Sequence, residues 1–201
     1  MFCGKEDIVM KAEFRNGSVI LDGYVNVVER ISKPIPDKKG VFVERIRAGA
    51  FQRALDKVNS LPILLDHDQG RKIASTGDGS ATLYEDNIGL RAIVKTSDNE
   101  VMRKAREGKL RGWSFGFYAN KQEYSTTREG MRLRTVKDLD LIEVSLIDER
   151  RSPVYIATSV EARGNSEKIV EYRDGLLDKC TGNSLSDYYS VYETRIKNLK
   201  K

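Results

Sequence analysis

The stretch Leu110-Arg111-Gly112-Trp113-Ser114-Phe115-Gly116-Phe117-Tyr118 decides how the chain is read. Two-residue alternation makes it a β-strand. Trp113, Phe115 and Phe117 fall on one face, and Gly112, Ser114 and Gly116 on the other. The first face is heavy and apolar and is predicted to enter the core. The second is almost bare and presents a single hydroxyl. Glycines two positions either side of a serine leave room for another backbone to come close, as a nucleophile acting on a carbonyl requires. The same pattern suits a strand whose small-residue face packs under a helix. The serine therefore needs partners elsewhere in the chain before it signifies chemistry.

Immediately upstream, Ser97-Asp98-Asn99-Glu100 predicts a helix with a capping box, Ser97 as the cap and Glu100 three residues on. Gly108 closes it. Downstream, 120–129 read as a polar hairpin arm, and 131–137 and 139–147 as two strands. Nearer the N-terminus, 8–14 and 18–28 are strands joined by Asn16-Gly17, a pair suited to a turn in which both residues take positive φ. Residues 29–40, with two prolines, form a loop before a strand at 41–46. Over 49–58, Phe51, Ala54, Leu55 and Val58 make one apolar helical stripe. Ile63-Leu64-Leu65-Asp66-His67-Asp68 is an apolar strand that delivers the chain's single histidine to a turn. Strands follow near 72–76, 80–85 and 88–95. Roughly eight to ten short strands with two inserted helices predict a mainly β (α+β) domain, a largely antiparallel barrel or sandwich, over 1–163. Residues 164–201 are polar and helix-like, with Tyr189, Tyr192, Ile196 and Leu199 on one stripe. They are predicted to form a tail that docks on the domain, pairs with a partner or is removed.

Composition narrows the function. The chain has 201 residues, 39% hydrophobic and 32% charged, enough for one domain and an appendage. No run of apolar residues is long enough for a membrane span, and the N-terminal segment lacks the pattern of a secretory signal. Cys3 and Cys180 do not make a disulfide framework, and with one histidine they do not suggest a metal site. The net charge of +5 comes from 35 basic and 30 acidic residues with interleaved signs. There is no basic helix, finger spacing or RNP motif, so no specific nucleic-acid partner is predicted.

Gly112-Trp113-Ser114-Phe115-Gly116 fits the G-x-S-x-G pattern of a nucleophile elbow. The context does not, because a strand continues past Ser114 and no histidine follows it. The order that remains is His67, then Ser114, then an acid. A serine hydroxyl needs a base within hydrogen-bond reach, and the base needs an orienting group; His67 is the one imidazole available. The acid is expected on 138–143. Glu143 is a charge inside an apolar strand, which is costly without a partner, and strict alternation puts it with Leu139, Leu141 and Ser145. Asp138 and Asp140 are the alternatives. Arg150 and Arg151, in the following loop, either support an oxyanion or form a solvated basic turn.

Taken together these pieces resemble the prohead (capsid maturation) serine proteases of tailed bacteriophages, which are similar in fold to the herpesvirus assemblins. The resemblance runs from about Ile20 to about Arg163. It is carried by Gly49-Ala50-Phe51 through Leu55, Leu64-Leu65-Asp66-His67-Asp68, Gly89-Leu90, Leu110 through Phe117, Leu141-Ile142-Glu143-Val144-Ser145-Leu146 and Ser152-Pro153-Val154-Tyr155, in that order. It implies a closed antiparallel β-barrel with packed helices and a histidine–serine–acid triad. At those positions stand His67, Ser114 and Glu143. It further implies a protease that needs no metal or cofactor. Its partners would be the major capsid protein and its scaffold segment, cleaved inside the procapsid in the host cytoplasm, with its own termini as further substrates. Dimerisation of the assemblins suggests a homo-oligomer. The rival expectation is a non-catalytic capsid-assembly module on the same barrel.

Overall fold

The computed structural model describes residues 10–37 and 40–153 and the strand residues 171–172 and 174–176. In order, the elements are β1 (Lys11–Arg15), β2 (Ser18–Val27), β3 (Ile35–Asp37), β4 (Gly40–Ile46), α1 (Ala50–Leu55), β5 (Pro62–Leu65), β6 (Lys72–Ser75), β7 (Ala81–Glu85), β8 (Gly89–Thr96), α2 (Asn99–Arg106), β9 (Leu110–Thr126), β10 (Arg132–Asp148), β11 (Arg151–Pro153), β12 (Glu171–Tyr172) and β13 (Asp174–Leu176). The fold is mainly β with two helices, as predicted.

The first hairpin forms where the sequence puts it: β1 and β2 pair antiparallel around Asn16 and Gly17, with φ of 47° and 73°. The helix before β9 begins one residue later than expected. Asp98, not Ser97, is its cap, with a carboxylate oxygen accepting from the Val101 amide at 3.0 Å. α1 is capped from another element, since the Glu85 carboxylate accepts from the Gly49 and Gln52 amides at 2.6 and 2.8 Å. The polar arm and the strand before it are one 17-residue strand, β9, and the two strands expected after it are one 17-residue strand, β10.

The strands divide between a sheet ordered β1-β2-β8-β7, a larger sheet ordered β12-β9-β10-β4-β3 with β5 and β6 added beside β10, and a small β11-β13 pair. Two features differ from a closed antiparallel barrel. β10 pairs parallel with β4 through Arg132 to Val136 and parallel with β5 through Val144 to Leu146. Among the described residues no sheet closes on itself. The reason lies where the two large sheets approach. There β2 and β9 meet through side chains: the Trp113 indole lies so close to Gly23 that a Cβ there would sit 2.8 Å from its Nε1. β2 takes its ladder partners from β1 and β8, and β9 from β10 and β12, so the two sheets meet here without a ladder between them.

The core fills this space with Val19, Leu21, Val25, Phe51, Ile63, Leu65, Leu90, Val94, Trp113, Phe115, Phe117, Leu139, Leu141, Val144 and Leu146 among others. Phe51 of α1 meets Phe115 edge-on, centroids 5.2 Å apart, and Phe115 stacks on Phe117 at 5.3 Å. Such contacts add about 0.5–1.5 kcal/mol each beyond burial. They fix the apolar face of β9 and so fix where its other face points. Of 164–201, the described pieces β12 and β13 are strands, where a helical tail was expected. The stripe of Tyr189, Tyr192, Ile196 and Leu199 lies outside the described residues.

Candidate active site

Ser114 stands on β9 directly across from Ser145 on β10, and Glu143 is registered with Gly116. The register shifts between Leu141 and Glu143, where β10 carries one extra residue. A bulge of this kind reverses the alternation beyond it. Before it, Leu139 and Leu141 face the core; after it, Val144 and Leu146 do. Glu143 and Ser145 are thereby turned to the face that carries Ser114. Unbroken alternation would have left Glu143 among the leucines.

His67 arrives from β5, the strand paired parallel to this same part of β10. Both Asp66 and His67 take left-handed backbone conformations, φ 53° and 60°. Two successive non-glycine residues there cost about 1–3 kcal/mol each. The surroundings hold them: the Asp66 amide donates to the Leu146 carbonyl at 2.9 Å, the His67 amide to Ser145 Oγ at 3.1 Å, and the Asp68 amide to the Leu65 carbonyl at 3.1 Å. The turn swings the imidazole back over β9 and β10.

There it lies between hydroxyl and carboxylate. His67 Nδ1 is 2.6 Å from Glu143 Oε1, and Nε2 is 2.9 Å from Ser114 Oγ. With the ring proton on Nδ1, that nitrogen donates to Glu143 and Nε2 accepts from Ser114. The imidazole is 5% exposed and the Glu143 side chain 0%. Ser145 completes the set. Its hydroxyl donates to Glu143 Oε2 at 2.6 Å while accepting from the His67 amide, so one buried hydroxyl orients both the Glu143 carboxylate and the His67 backbone. Sequence reading placed Ser145 beside Glu143 but gave it no role; its two-residue spacing from Glu143 on a strand was the available signal.

The other candidates lie elsewhere. Asp138 and Asp140 both receive the Lys57 ammonium, Nζ to oxygen 3.2 and 3.0 Å, and Asp138 also faces Arg53. Arg150 is committed to two carboxylates: its guanidinium donates to Asp66 Oδ2 at 2.6 Å and to Asp148 Oδ2 at 2.9 Å, and its amide donates to Asp148 Oδ1 at 2.8 Å. Arg151 begins β11, and its side chain lies outside the described ones.

Behind His67, Asp66, Asp148, Lys104 and Arg150 form a network that is buried except for the Arg150 side chain. Lys104 of α2 donates to Asp148 Oδ2, and the Asp148 amide donates to Asp66 Oδ1 at 3.0 Å. Burial lifts the Asp66 carboxyl above the ordinary range, and its Asp148 neighbour adds to that. Burial also opposes ionisation of Asp148, but hydrogen bonds from Arg150 and Lys104 outweigh it and hold that carboxyl below the ordinary range. Of the two, Asp148 is the ionised partner and Asp66 the one that keeps its proton to higher pH.

An imidazole bridging a hydroxyl and a buried carboxylate is the arrangement by which serine hydrolases activate a nucleophile. At the level of the whole chain, the family model of the caudovirus prohead serine proteases matches residues 6–173. The chain belongs to that family, and it is a serine protease. The match extends past the boundary expected at residue 163 and takes in β12. No curated protein and no solved structure matches the chain.

Proposed function

We propose that this protease is a serine endopeptidase that cleaves the scaffold segment of the major capsid protein during prohead maturation, with Ser114 as nucleophile, His67 as base and Glu143 as orienting acid. In this reading it acts inside the assembling procapsid in the host cytoplasm, as a homo-oligomer, and its own tail is a further substrate. The family match supports the setting. The hydrogen-bonded line from Glu143 through His67 to Ser114 supports the residue roles, and it is the observation that carries them.

The chemistry follows from that line. Ser114 Oγ attacks the scissile carbonyl and gives its proton to His67 Nε2. Glu143 stabilises the imidazolium that results, and the ring returns the proton to the leaving amine. Water then attacks the acyl-enzyme by the same route. No cofactor enters these steps. Arg150, which also pairs with Asp66 and Asp148, and Arg151 are the candidates for oxyanion support in this reading.

The test is co-expression of the parent and Ser114→Ala chains with the capsid protein and its scaffold segment. Processing by the parent alone is expected, together with covalent labelling of Ser114 by a fluorophosphonate. Equal processing by both chains would overturn the assignment. Mass spectrometry of the two proteases shows in the same experiment whether the length of the tail depends on Ser114.

A further inference from the structure

β9 has β10 along one edge. On the other edge, just beyond Ser114, lies a piece of the chain's own C-terminal region: Glu171 and Tyr172 pair antiparallel with Phe117 and Gly116. Counting on in the same register, residue 174 falls opposite Ser114. There the chain exchanges one edge for another, because Asp174, Gly175 and Leu176 pair antiparallel with Pro153, Ser152 and Arg151. Residues 171–172 thus lie on the β9 edge beside Ser114, and residues 174–176 on the β11 edge that follows Arg150. A second observation points the same way. Ser114 is 0% exposed, with His67 against its hydroxyl, so the strand edge beside it is the side on which an extended chain can approach, and that edge is the one the tail strand holds.

We infer that the space between the β9 and β11 edges is the substrate cleft, that it takes a polypeptide as an extended strand paired through its main chain, and that residues 171–176 occupy it as an inhibitor in cis. This rests on the protease reading above. Main-chain pairing at a sheet edge supplies affinity without demanding a sequence, and the alternate side chains supply selectivity. An enzyme that binds substrate this way is held off by any strand of its own that fits the same edges. The tail is covalently tethered, so it competes at a high effective concentration. A substrate then binds only in the fraction of molecules whose tail strand is out, and its apparent affinity falls by that fraction.

The experiment uses full-length protein with proline placed on each ladder separately: Glu171→Pro with Tyr172→Pro in one variant, and Gly175→Pro with Leu176→Pro in the other. Two readouts are taken. In the Ser114→Ala background, hydrogen exchange is followed at the 115–118 amides that face β12. Protection should be lost in the first variant and restored by a synthetic peptide of residues 168–178. With Ser114 present, the rate of fluorophosphonate labelling should rise about tenfold in either variant and fall again when the peptide is added. Unchanged exchange in the first variant would show that no strand is seated there and would overturn the inference. Lost protection with unchanged labelling would overturn the inhibitory role. If Ser114 is labelled in no variant while exchange responds as described, the strand site stands and the catalytic assignment is what fails.

Discussion

Replacing Ser145 by alanine should damage both stability and turnover, although the residue touches no substrate. Its hydroxyl makes a 2.6 Å bond to Glu143 Oε2 and receives the His67 amide at 3.1 Å, at a position with no exposed surface. Alanine keeps the volume and removes both bonds, leaving a buried carboxylate oxygen and a backbone donor short of a partner. A hydrogen bond to a charged group contributes about 1.5–3 kcal/mol, and an orphaned donor costs about 1–3 kcal/mol. A loss of about 3 kcal/mol is therefore expected. With a urea slope of about 2 kcal/mol per molar, the midpoint should drop by about 1.5 M. Trp113 is the single tryptophan and is 2% exposed, so its fluorescence reports the transition. The unfolding measurement belongs in the Ser114→Ala background, which removes the proposed nucleophile. Loosening the imidazole should lower kcat about ten- to a hundredfold with little change in KM. Ser145→Thr keeps the hydroxyl and should recover most of the turnover even if its extra methyl costs stability. An alanine variant with the parental midpoint and kcat would refute the reasoning. A lowered midpoint with parental kcat would reduce Ser145 to a packing residue.

Other changes test the surroundings of the site. Lys104→Met should cost about 1–3 kcal/mol, because it takes one of two cations from the buried Asp148 carboxylate and leaves Arg150 on it; adding Asp148→Asn should restore part of the loss in a thermal melt. Asp148 itself should make stability depend on pH. Its folded-state pKa is depressed, so its contribution is present above about pH 4, the unfolded value, and drains away as pH falls toward the lower folded-state value. Urea midpoints measured between pH 2 and pH 6 should fall less steeply in Asp148→Asn than in the parent, and identical slopes would remove Asp148 from the acid response. Gly23→Ala should cost about 1–3 kcal/mol by pressing a Cβ against the Trp113 indole, read as a lower midpoint; no change would mean that the ring moves freely there.

Much of this was legible in the sequence, for local reasons. Asn16-Gly17 and the aromatic face of β9 are patterns within a few residues and formed as read; the helical stripe read over 49–58 formed only over Ala50–Leu55, with Val58 packed on the core from beyond the helix. His67 could be picked out because it is the one imidazole in the sequence, whereas Glu143 stood beside Asp138 and Asp140 as alternatives until the resemblance favoured it. Long-range features were hidden. Nothing near Ile142 announces a bulge, since an extra residue in a strand is defined by its partner strand. The left-handed turn at Asp66 and His67 is hidden too, being stabilised by Leu146 and Ser145 from far along the chain. The parallel pairings of β10 and the open edges of the sheets depend on which strands meet, and alternation does not specify that. The cap moved from Ser97 to Asp98 because neighbouring residues offered two good acceptors, and pattern alone does not choose between them.

The extra residue in β10 also makes the layout of the proposed site depend on backbone geometry and not on residue identity alone. Deleting Ile142 would let β10 pair regularly and would still leave Leu141, Val144 and Leu146 on the core side and Glu143 and Ser145 on the side of Ser114. Keeping Ile142 in a straightened strand would do the opposite, turning the Glu143 carboxylate toward the aromatic interior while every residue of the site stayed in the sequence.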